Sequence, residues 1–520
     1  MASGRIGLKI LILTGKLASQ LAKSIANEIS KSLGVEIDVD VLDMPVAALM
    51  TVKDVLEHLS KKAAEAIQYD VIIAPGLLIG DLEVVNRSLG VRCYKGSKYI
   101  GDLPLVVREI IMGGVRLSTS KPADSILELS RKADYKKILE DIEIRSERAF
   151  NIGSISIPLN PPPFRIIAEV NIEDPIEHVV KESIRVSREG ADIVVLGTSA
   201  DSDNPNMVAK AIREVSKHLD KPIGIDSINP REIEAGIGSG AQLVMNISRS
   251  YFWVVERLPR DIAYVLVPES VEDPSAYSRV KSLARDLEEL RSMGVSKVIL
   301  DPVIPPPNFG ALEGLYAVSL AKKYIPSVPV LISSANIVEM IDADSVGINA
   351  LITSFALESG ASVILVTEDS WKTRGSVSEV VRASQMCSIS HVRKSPPKDL
   401  GIDLLVAKSK EKPVRIPIGF EEDVVVDRYI PPFRLDKERF FLVQLDYENK
   451  YIEVYIFHGR NDRAIYRVRG RDPRSVGRIA LRLSGIQDPE HALYLGVELA
   501  RAYEALKLGK RYVQDEQLTI

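Results

Sequence analysis

The sequence is poor in the residues that build disulfide frameworks and metal centres. Its 520 residues include two cysteines, Cys93 and Cys387, and six histidines, none of them in an HxxxH or HExxH spacing. Two distant cysteines exclude a disulfide framework and an all-cysteine metal site, and the histidine spacing argues against a histidine-rich metal centre. The sequence therefore predicts no metal site.

Long apolar runs and a strong charge imbalance are also missing. No uninterrupted apolar run approaches the roughly 18 residues of a membrane-spanning helix. The opening segment MASGRIGLKILILTGK has a short apolar core that is typical of a first strand rather than of a secretory signal, so we expect a cytoplasmic protein. A formal net charge of −4 gives no reason to expect nucleic acid or an anionic membrane as a partner.

The sequence does have a repeating alternation of apolar runs and amphipathic stretches. In residues 1–150, KILILTG and YDVIIAPG are strand-like and KLASQLAKSIANEISKSLG has helical spacing, which predicts a doubly wound, Rossmann-like α/β domain with a connecting helix. Residues 400–520 mix alternating strands with a closing amphipathic helix and predict a small C-terminal α+β domain.

Residues 151–392 carry the most regular pattern, with eight apolar strand candidates that are each followed by polar and helix-like sequence. This pattern predicts a central (β/α)8 TIM barrel, and the continuous apolar runs are typical of parallel strands covered on both sides. A doubly wound open sheet is the alternative. The strand candidates are RIIAEVN (165–171), ADIVVLGTS (191–199), PIGID (222–226), AQLVMN (241–246), AYVLVPE (263–269), KVILDP (297–302), VPVLISSAN (328–336) and ASVILVTED (361–369).

Carboxylate and carboxamide side chains stand at the ends of six of these strand candidates. In a TIM barrel these ends converge on one mouth, although Asp and Asn at strand ends also cap the helices that follow. A mouth of this composition suits a flat, neutral heterocycle that presents N–H donors beside a carbonyl, as a pterin does. A phosphate group would instead require Arg, Lys or a helix N-terminus. The six residues are Asn171, Asp226, Asn246, Glu269, Asp301 and Asn336.

The segments EGADIVVLG, IDS, MN and LDP follow in an order and spacing that resemble the pterin-binding barrel family. This family includes dihydropteroate synthases and methyltetrahydrofolate:corrinoid methyltransferases, and the resemblance covers roughly residues 160–390. It implies that Asp226, Asn246 and Asp301 hold the pterin and that Asn171 matches an Asn of the first strand. The arrangement of all three domains resembles an archaeal dihydropteroate synthase-related family.

The two subfamilies differ after the seventh strand. Dihydropteroate synthases carry a Ser-Arg-Lys-type segment there and an Arg-x-His pair on the eighth strand, whereas this chain has Ile337 near the place of the Lys, with Leu365 and Thr367 in the places of the Arg and His. The turn SSANIV instead resembles the Ser-Asn-Val-type turn of the methyltransferases, with Asn336 in the place of the Asn that bonds pterin N5.

The resemblance thus implies transfer of a methyl group from N5 of a reduced pterin, of the tetrahydrofolate or tetrahydromethanopterin type, with Asp226 and Asn336 as the catalytic side chains. The acceptor would be a corrinoid on a partner protein, because the chain has no DxHxxG motif for cobalt. The alternatives are a divergent dihydropteroate synthase-like enzyme that condenses a pterin pyrophosphate with an arylamine, and a pterin-binding or carrier protein without catalysis. The family also implies a homodimer.

Overall fold

The strands and helices of the computed structural model fall into two compact units. The first contains the described residues of 1–147, 385–403 and 411–423, and the second contains those of 148–384, 404–410 and 424–520. The division of the chain into three domains stays a prediction, and most of residues 410–437 lies outside the described part. The structure describes residues 8–98, 100–112, 116–172, 175–269, 273–394, 396–398, 400–409, 421–426, 436, 438–459 and 462–518.

The first unit holds a four-stranded parallel sheet with the strand order β2-β1-β3-β4. Helices α1 and α5 contribute to the apolar cluster on one side of β1, and α2 and α4 to the cluster on the other side, so the predicted doubly wound arrangement is confirmed. The elements are β1 Lys9–Thr14, α1 Ser19–Leu33, β2 Glu36–Val41, α2 Val52–Ser60, α3 Ala63–Ala66, β3 Val71–Ala74, α4 Glu83–Leu89, β4 Cys93–Lys95, α5 Leu103–Met112 and α6 Ala123–Arg145.

A short antiparallel hairpin, β5 Arg148–Ile152 and β6 Ile155–Pro158, opens the second unit. Ile152 and Ile157 are buried in the interior cluster of the barrel that follows, so the hairpin closes the amino end of the barrel. The sequence pattern predicts no strands in residues 148–158. The hairpin has only four or five residues per strand, and its burial depends on the distant barrel rather than on a local apolar run.

Eight parallel strands form the predicted barrel. Their hydrogen-bonded order is β12-β11-β10-β9-β8-β7-β14-β13, and the parallel bridge between Leu300 and Val330 joins β12 to the start of β13, which excludes the open-sheet alternative. The strands are β7 Arg165–Asn171, β8 Ile193–Gly197, β9 Ile223–Asp226, β10 Leu243–Ile247, β11 Ala263–Leu266, β12 Val298–Leu300, β13 Leu331–Ser333 and β14 Val363–Val366.

Alternate residues of these strands fill the barrel interior with aliphatic side chains, as the two-residue period of a strand requires. Among the described residues, nine α-helices follow the strands in chain order. They are α7 Ile176–Glu189, α8 Pro205–Ser216, α9 Pro230–Gly238, α10 Phe252–Val255, α11 Ala276–Ser292, α12 Ala311–Tyr324, α13 Ala335–Val338, α14 Ser345–Ser359 and α15 Ser376–Arg393.

Several of the predicted strands end earlier in the structure, and two of the six polar residues lie three residues beyond the end of their strand. Strand β11 ends at Leu266, so Glu269 lies in the following loop, and Asn336 lies on the short helix α13 rather than on β13. The apolar runs extend past the hydrogen-bonded strands because the loops at the carboxyl end of the barrel are also partly buried.

The C-terminal segment forms an antiparallel sheet, β15 Arg439–Asp446, β16 Tyr451–His458 and β17 Tyr466–Gly470, packed against α16 Pro473–Ser484 and α17 Pro489–Leu508. This confirms the predicted α+β architecture. The apolar stripe of α17 lies in the core of this segment. Within the described ranges, no helix combines the length and apolarity needed to cross a membrane.

We predict that Leu243→Ala, in the barrel interior, lowers the free energy of unfolding by about 2–5 kcal/mol because it leaves a cavity among close-packed side chains. Leu243 is fully buried, whereas Leu312 on α12 is 80% exposed, and Leu312→Ala should change stability by less than about 0.5 kcal/mol. The two tryptophans of the chain, Trp253 and Trp371, both follow barrel strands, so urea unfolding monitored by tryptophan fluorescence reports on the barrel. Equal destabilisation by both substitutions would contradict the interior packing.

Candidate functional site

A carboxylate and a carboxamide meet at the carboxyl end of two neighbouring strands. The Asn246 side-chain nitrogen donates to both oxygens of Asp226, at 2.9 and 2.8 Å. Asn246 has a left-handed φ of 57°, which Asn tolerates better than most residues, and the register of β10 with β11 shifts around it. This irregularity directs the amide toward β9. Burial raises the pKa of Asp226, and the Asn246 hydrogen bond offsets part of that rise.

Asp301 lies directly after β12, buried and close enough to Asp226 for their charges to interact. Burial, with a smaller contribution from Asp226, raises its pKa to about 6, although the backbone N–H of Val303 donates to its carboxylate at 2.8 Å. Val303 has φ 62°, a strained value for a β-branched residue, and Arg279 from α11 donates to the Val303 carbonyl at 2.7 Å. The Arg279 charge also lowers the pKa of Asp301. Sequence reasoning missed this cation because it lies on a helix.

The remaining predicted residues lie at the same end of the barrel. Asn171 is level with Asp226, because both are in register with Gly197 of the intervening strand. The Asn336 side chain donates to the carbonyl of Ile304, three residues after Asp301, at 2.9 Å. Glu269 instead accepts from the backbone and hydroxyl of Ser250, at 3.0 and 2.7 Å, and these bonds join it to the loop after β10.

Sequence reasoning also missed a carboxyl inside the barrel, Glu169 of β7. Ile167, two residues earlier on the same strand, belongs to the interior cluster, and a Cβ at Gly197 would overlap the Glu169 carboxyl oxygen. Glu169 therefore points inward across β8. Burial, together with the charges of Asp226 and Asp369, raises its pKa to about 8.

On the β14 side of Glu169, two further carboxylates extend this series of acidic side chains. Burial and the neighbouring charge of Glu339 raise the pKa of Asp369. Glu339 accepts from the backbone of Ser370 at 3.3 Å and from the Thr373 hydroxyl at 2.5 Å. These hydrogen bonds outweigh burial and hold its pKa below the usual range. An electrostatically linked series of carboxyls thus runs around the mouth, in the order Asp301, Asp226, Glu169, Asp369 and Glu339.

A buried glutamate, Glu232 of α9, shapes the loops beside Asp226. It accepts from the hydroxyls of Thr198, Ser202 and Ser227, at 2.9, 2.6 and 2.6 Å, and from a backbone N–H at 2.7 Å. Burial alone would raise its pKa, but these four hydrogen bonds lower it, which keeps Glu232 ionised. It fixes the loop after β8 against the turn after Asp226.

Within the described residues, no group of three or more His, Cys, Asp or Glu is arranged to hold a metal ion.

Two family models match parts of this chain. The model described as PterinBD-DUF4346 matches residues 435–515, and the family of unknown function DUF6513 matches residues 8–98. An uncharacterized protein of Methanocaldococcus jannaschii is 29% identical over 547 residues, an alignment that covers 98% of this chain and 99% of that protein. The predicted resemblance to the pterin-binding family is confirmed, and the family match lies on the C-terminal segment rather than on the barrel residues that suggested it.

Among solved structures, the chain is similar to three dihydropteroate synthases. That of Xanthomonas albilineans, in complex with 7,8-dihydropteroate, has 16% identity and a TM-score of 0.38 and covers 48% of this chain and 100% of its own. That of Vibrio fischeri has 15% identity and a TM-score of 0.37, with coverage of 48% and 99%. That of Yersinia pestis has 16% identity and a TM-score of 0.36, with coverage of 47% and 98%.

We predict that Asp301→Asn becomes more stable relative to the wild type as the pH rises from 4 to 7. The folded protein holds the Asp301 proton up to about pH 6, whereas the unfolded chain releases it near pH 4, so the wild type loses stability across this window. The difference in unfolding free energy should grow by about 2 kcal/mol. Thermal unfolding as a function of pH checks this, with Asp220→Asn, an exposed residue before β9, as the control. Parallel curves for Asp301→Asn and wild type would contradict the burial of this carboxyl.

Proposed function

We propose that this chain binds a reduced pterin in the barrel mouth and transfers the methyl group from its N5 to an acceptor. The observation that carries the proposal is the partly buried Asp226 carboxylate, whose two oxygens both accept from Asn246. A carboxylate with two oxygens aligned in this way binds an edge that presents a ring N–H beside an exocyclic amino group, as a pterin does.

Asp301 and Asn171 complete the binding surface in this proposal. Asp301, buried beside Asp226, accepts from further N–H groups of the ring, and Asn171, level with Asp226, offers both a donor and an acceptor. The poorly solvated carboxylates repel one another, and a neutral ring rich in N–H donors relieves this repulsion.

We propose methyl transfer rather than condensation because of the residues at the carboxyl ends of the last two barrel strands. Asn336 is anchored to the Ile304 carbonyl, and this bond orients its amide beside the loop of Asp301. Leu365 is buried in the interior cluster and Thr367 is buried after it, where a condensing enzyme of the resembling family would carry Arg and His. Leaving-group stabilisation by a positioned amide is one of the means by which enzymes accelerate such transfers.

The acceptor in this proposal is a reduced corrinoid on a partner protein, and the chain acts in the cytoplasm. The pterin is of the tetrahydrofolate or the tetrahydromethanopterin type, and the protein acts as a homodimer. These points rest on the sequence resemblance, and the experiments below decide between the two pterins.

We predict that Asp226→Ala weakens binding of tetrahydrofolate or tetrahydromethanopterin by about 100-fold or more, because it removes two charge-assisted hydrogen bonds of about 1.5–3 kcal/mol each. Calorimetry with both pterins measures this loss. Asp220→Ala is the control, since Asp220 is exposed before the same strand, at the end opposite Asp226. Equal affinity of Asp226→Ala and wild type would contradict the site.

We predict that Asn336→Ala binds the pterin within about threefold of wild type and lowers the rate of methyl transfer about 10- to 100-fold, since the loss of one preorganised group costs that much or more. Methylcobalamin formation from a 5-methyl-tetrahydropterin and cob(I)alamin provides the measurement. Release of pyrophosphate from a pterin pyrophosphate and an arylamine would support the condensing alternative instead. A pterin that binds tightly and returns unchanged from both assays would indicate a carrier.

A further inference from the structure

Glu169 lies between the two groups of carboxyls at the mouth. It points into the barrel from β7, and its carboxyl occupies the space that the missing side chain of Gly197 leaves on β8. Its charged neighbours are Asp226 on one side and Asp369 on the other. An alanine Cβ at position 197 would overlap the carboxyl oxygen, so the glycine allows Glu169 to take this position.

The Glu169 carboxyl has no hydrogen-bond partner among the residues that the structure describes. The other carboxyls of the series differ in this respect, since Asp226 accepts from Asn246 and Asp301 accepts from Val303. The charges that Glu169 faces are acidic, Asp226 from β9 and Asp369 from beyond β14. The next charged groups are Asp301, which interacts with Asp226 and has Arg279 near it, and Glu339, which lies beside Asp369.

A second polar group without a partner lies next to Glu169. β14 pairs with β7 so that Val366 is level with Ala168, which places Thr367 level with Glu169. Thr367 continues the inward alternation of Val363 and Leu365, it is 7% exposed, and its hydroxyl has no hydrogen-bond partner among the described residues. Buried polar groups in native proteins are almost always satisfied, so the buried Thr367 hydroxyl without a partner, beside a carboxyl that no described residue bonds, indicates a ligand at the barrel mouth.

We infer that Glu169 is the proton donor of this site and that, together with Thr367, it forms the subsite that receives the reacting nitrogen of the ligand. This inference rests on the proposed function. The N5–methyl bond breaks with its electron pair on N5, the methyl group bonds to the acceptor nucleophile, and the Glu169 carboxyl proton passes to N5. Glu169 is left as a carboxylate, which regains a proton from solvent before the next turnover.

Glu169 suits this step better than its neighbours. The elevated pKa, about 8, keeps the carboxyl protonated at neutral pH, and a general acid works best when its pKa is near the working pH. Asn336, in contrast, orients the leaving nitrogen but holds no proton that an amide could release at neutral pH.

The decisive variant is Glu169→Gln, which keeps the size of the side chain and removes the transferable proton. We expect it to bind the tetrahydropterin within about threefold of wild type and to transfer the methyl group about 100-fold or more slowly. The wild-type rate should fall above about pH 8, and this alkaline limb should be absent in the variant. Glu177→Gln, an exposed residue on α7, is the matched control and should behave as wild type.

A second measurement separates this inference from the proposed function. Calorimetry of tetrahydropterin binding at pH 8, in two buffers of different ionisation enthalpy, reports the protons taken up without any methyl acceptor. We expect net proton uptake in the wild type, because the bound ring shields Glu169 from water and thereby raises its pKa further. We expect no proton uptake in Glu169→Gln.

The results of these experiments separate the role of Glu169 from the proposed function. Wild-type transfer that Glu169→Gln retains within about threefold, with the same alkaline limb, would overturn the inference and leave the proposed function standing. A wild type that transfers no methyl group would overturn the proposed function. In that case the calorimetric measurement alone tests the role of Glu169. Proton uptake that is lost in the variant supports Glu169 as the proton-carrying group, and equal proton uptake in both proteins overturns it.

Discussion

The burial of several carboxyls close together in one barrel mouth is the constraint on which the site depends. Eight parallel strands end on one rim, and this geometry brings Asp226, Glu169 and Asp301 together inside the barrel mouth. Arg279 is the one cation that influences these three pKa values among the described residues, and it acts on Asp301 alone. Such a site favours ligands that donate hydrogen bonds, and Glu169 within it retains its proton at neutral pH.

The local backbone has features that keep this arrangement in place. Asn246 and Val303 both have left-handed φ values, and each of them contributes a hydrogen-bond donor to a carboxylate of the site. Strain at such positions persists only where surrounding contacts enforce it, and at Val303 the Arg279 contact to its carbonyl provides that support. The C-terminal segment also contacts the loop after β14, since the Trp371 indole donates to the Gly509 carbonyl at 2.8 Å.

Much of the fold could be predicted from the sequence, because the barrel strands are continuous apolar runs at regular spacing. The strand ends at Asp226 and Asn246 could be predicted for the same reason, since each polar residue directly follows an apolar run. Glu169 could not, because it lies within the run RIIAEVN and its position depends on Gly197, a residue 28 positions away that lies beside its carboxyl only in the folded sheet. The β5–β6 hairpin was missed likewise, because a distant barrel buries it.

The most direct measurement of the central claim is a crystal structure of the chain with a bound 5-methyl-tetrahydropterin. We predict that the ring lies in the barrel mouth and that its N–H donors are about 2.8 Å from the Asp226 carboxylate oxygens. We also predict that N5 faces Glu169 and Thr367. A ring bound away from Asp226, or with its N–H edge turned from that carboxylate, would contradict the account.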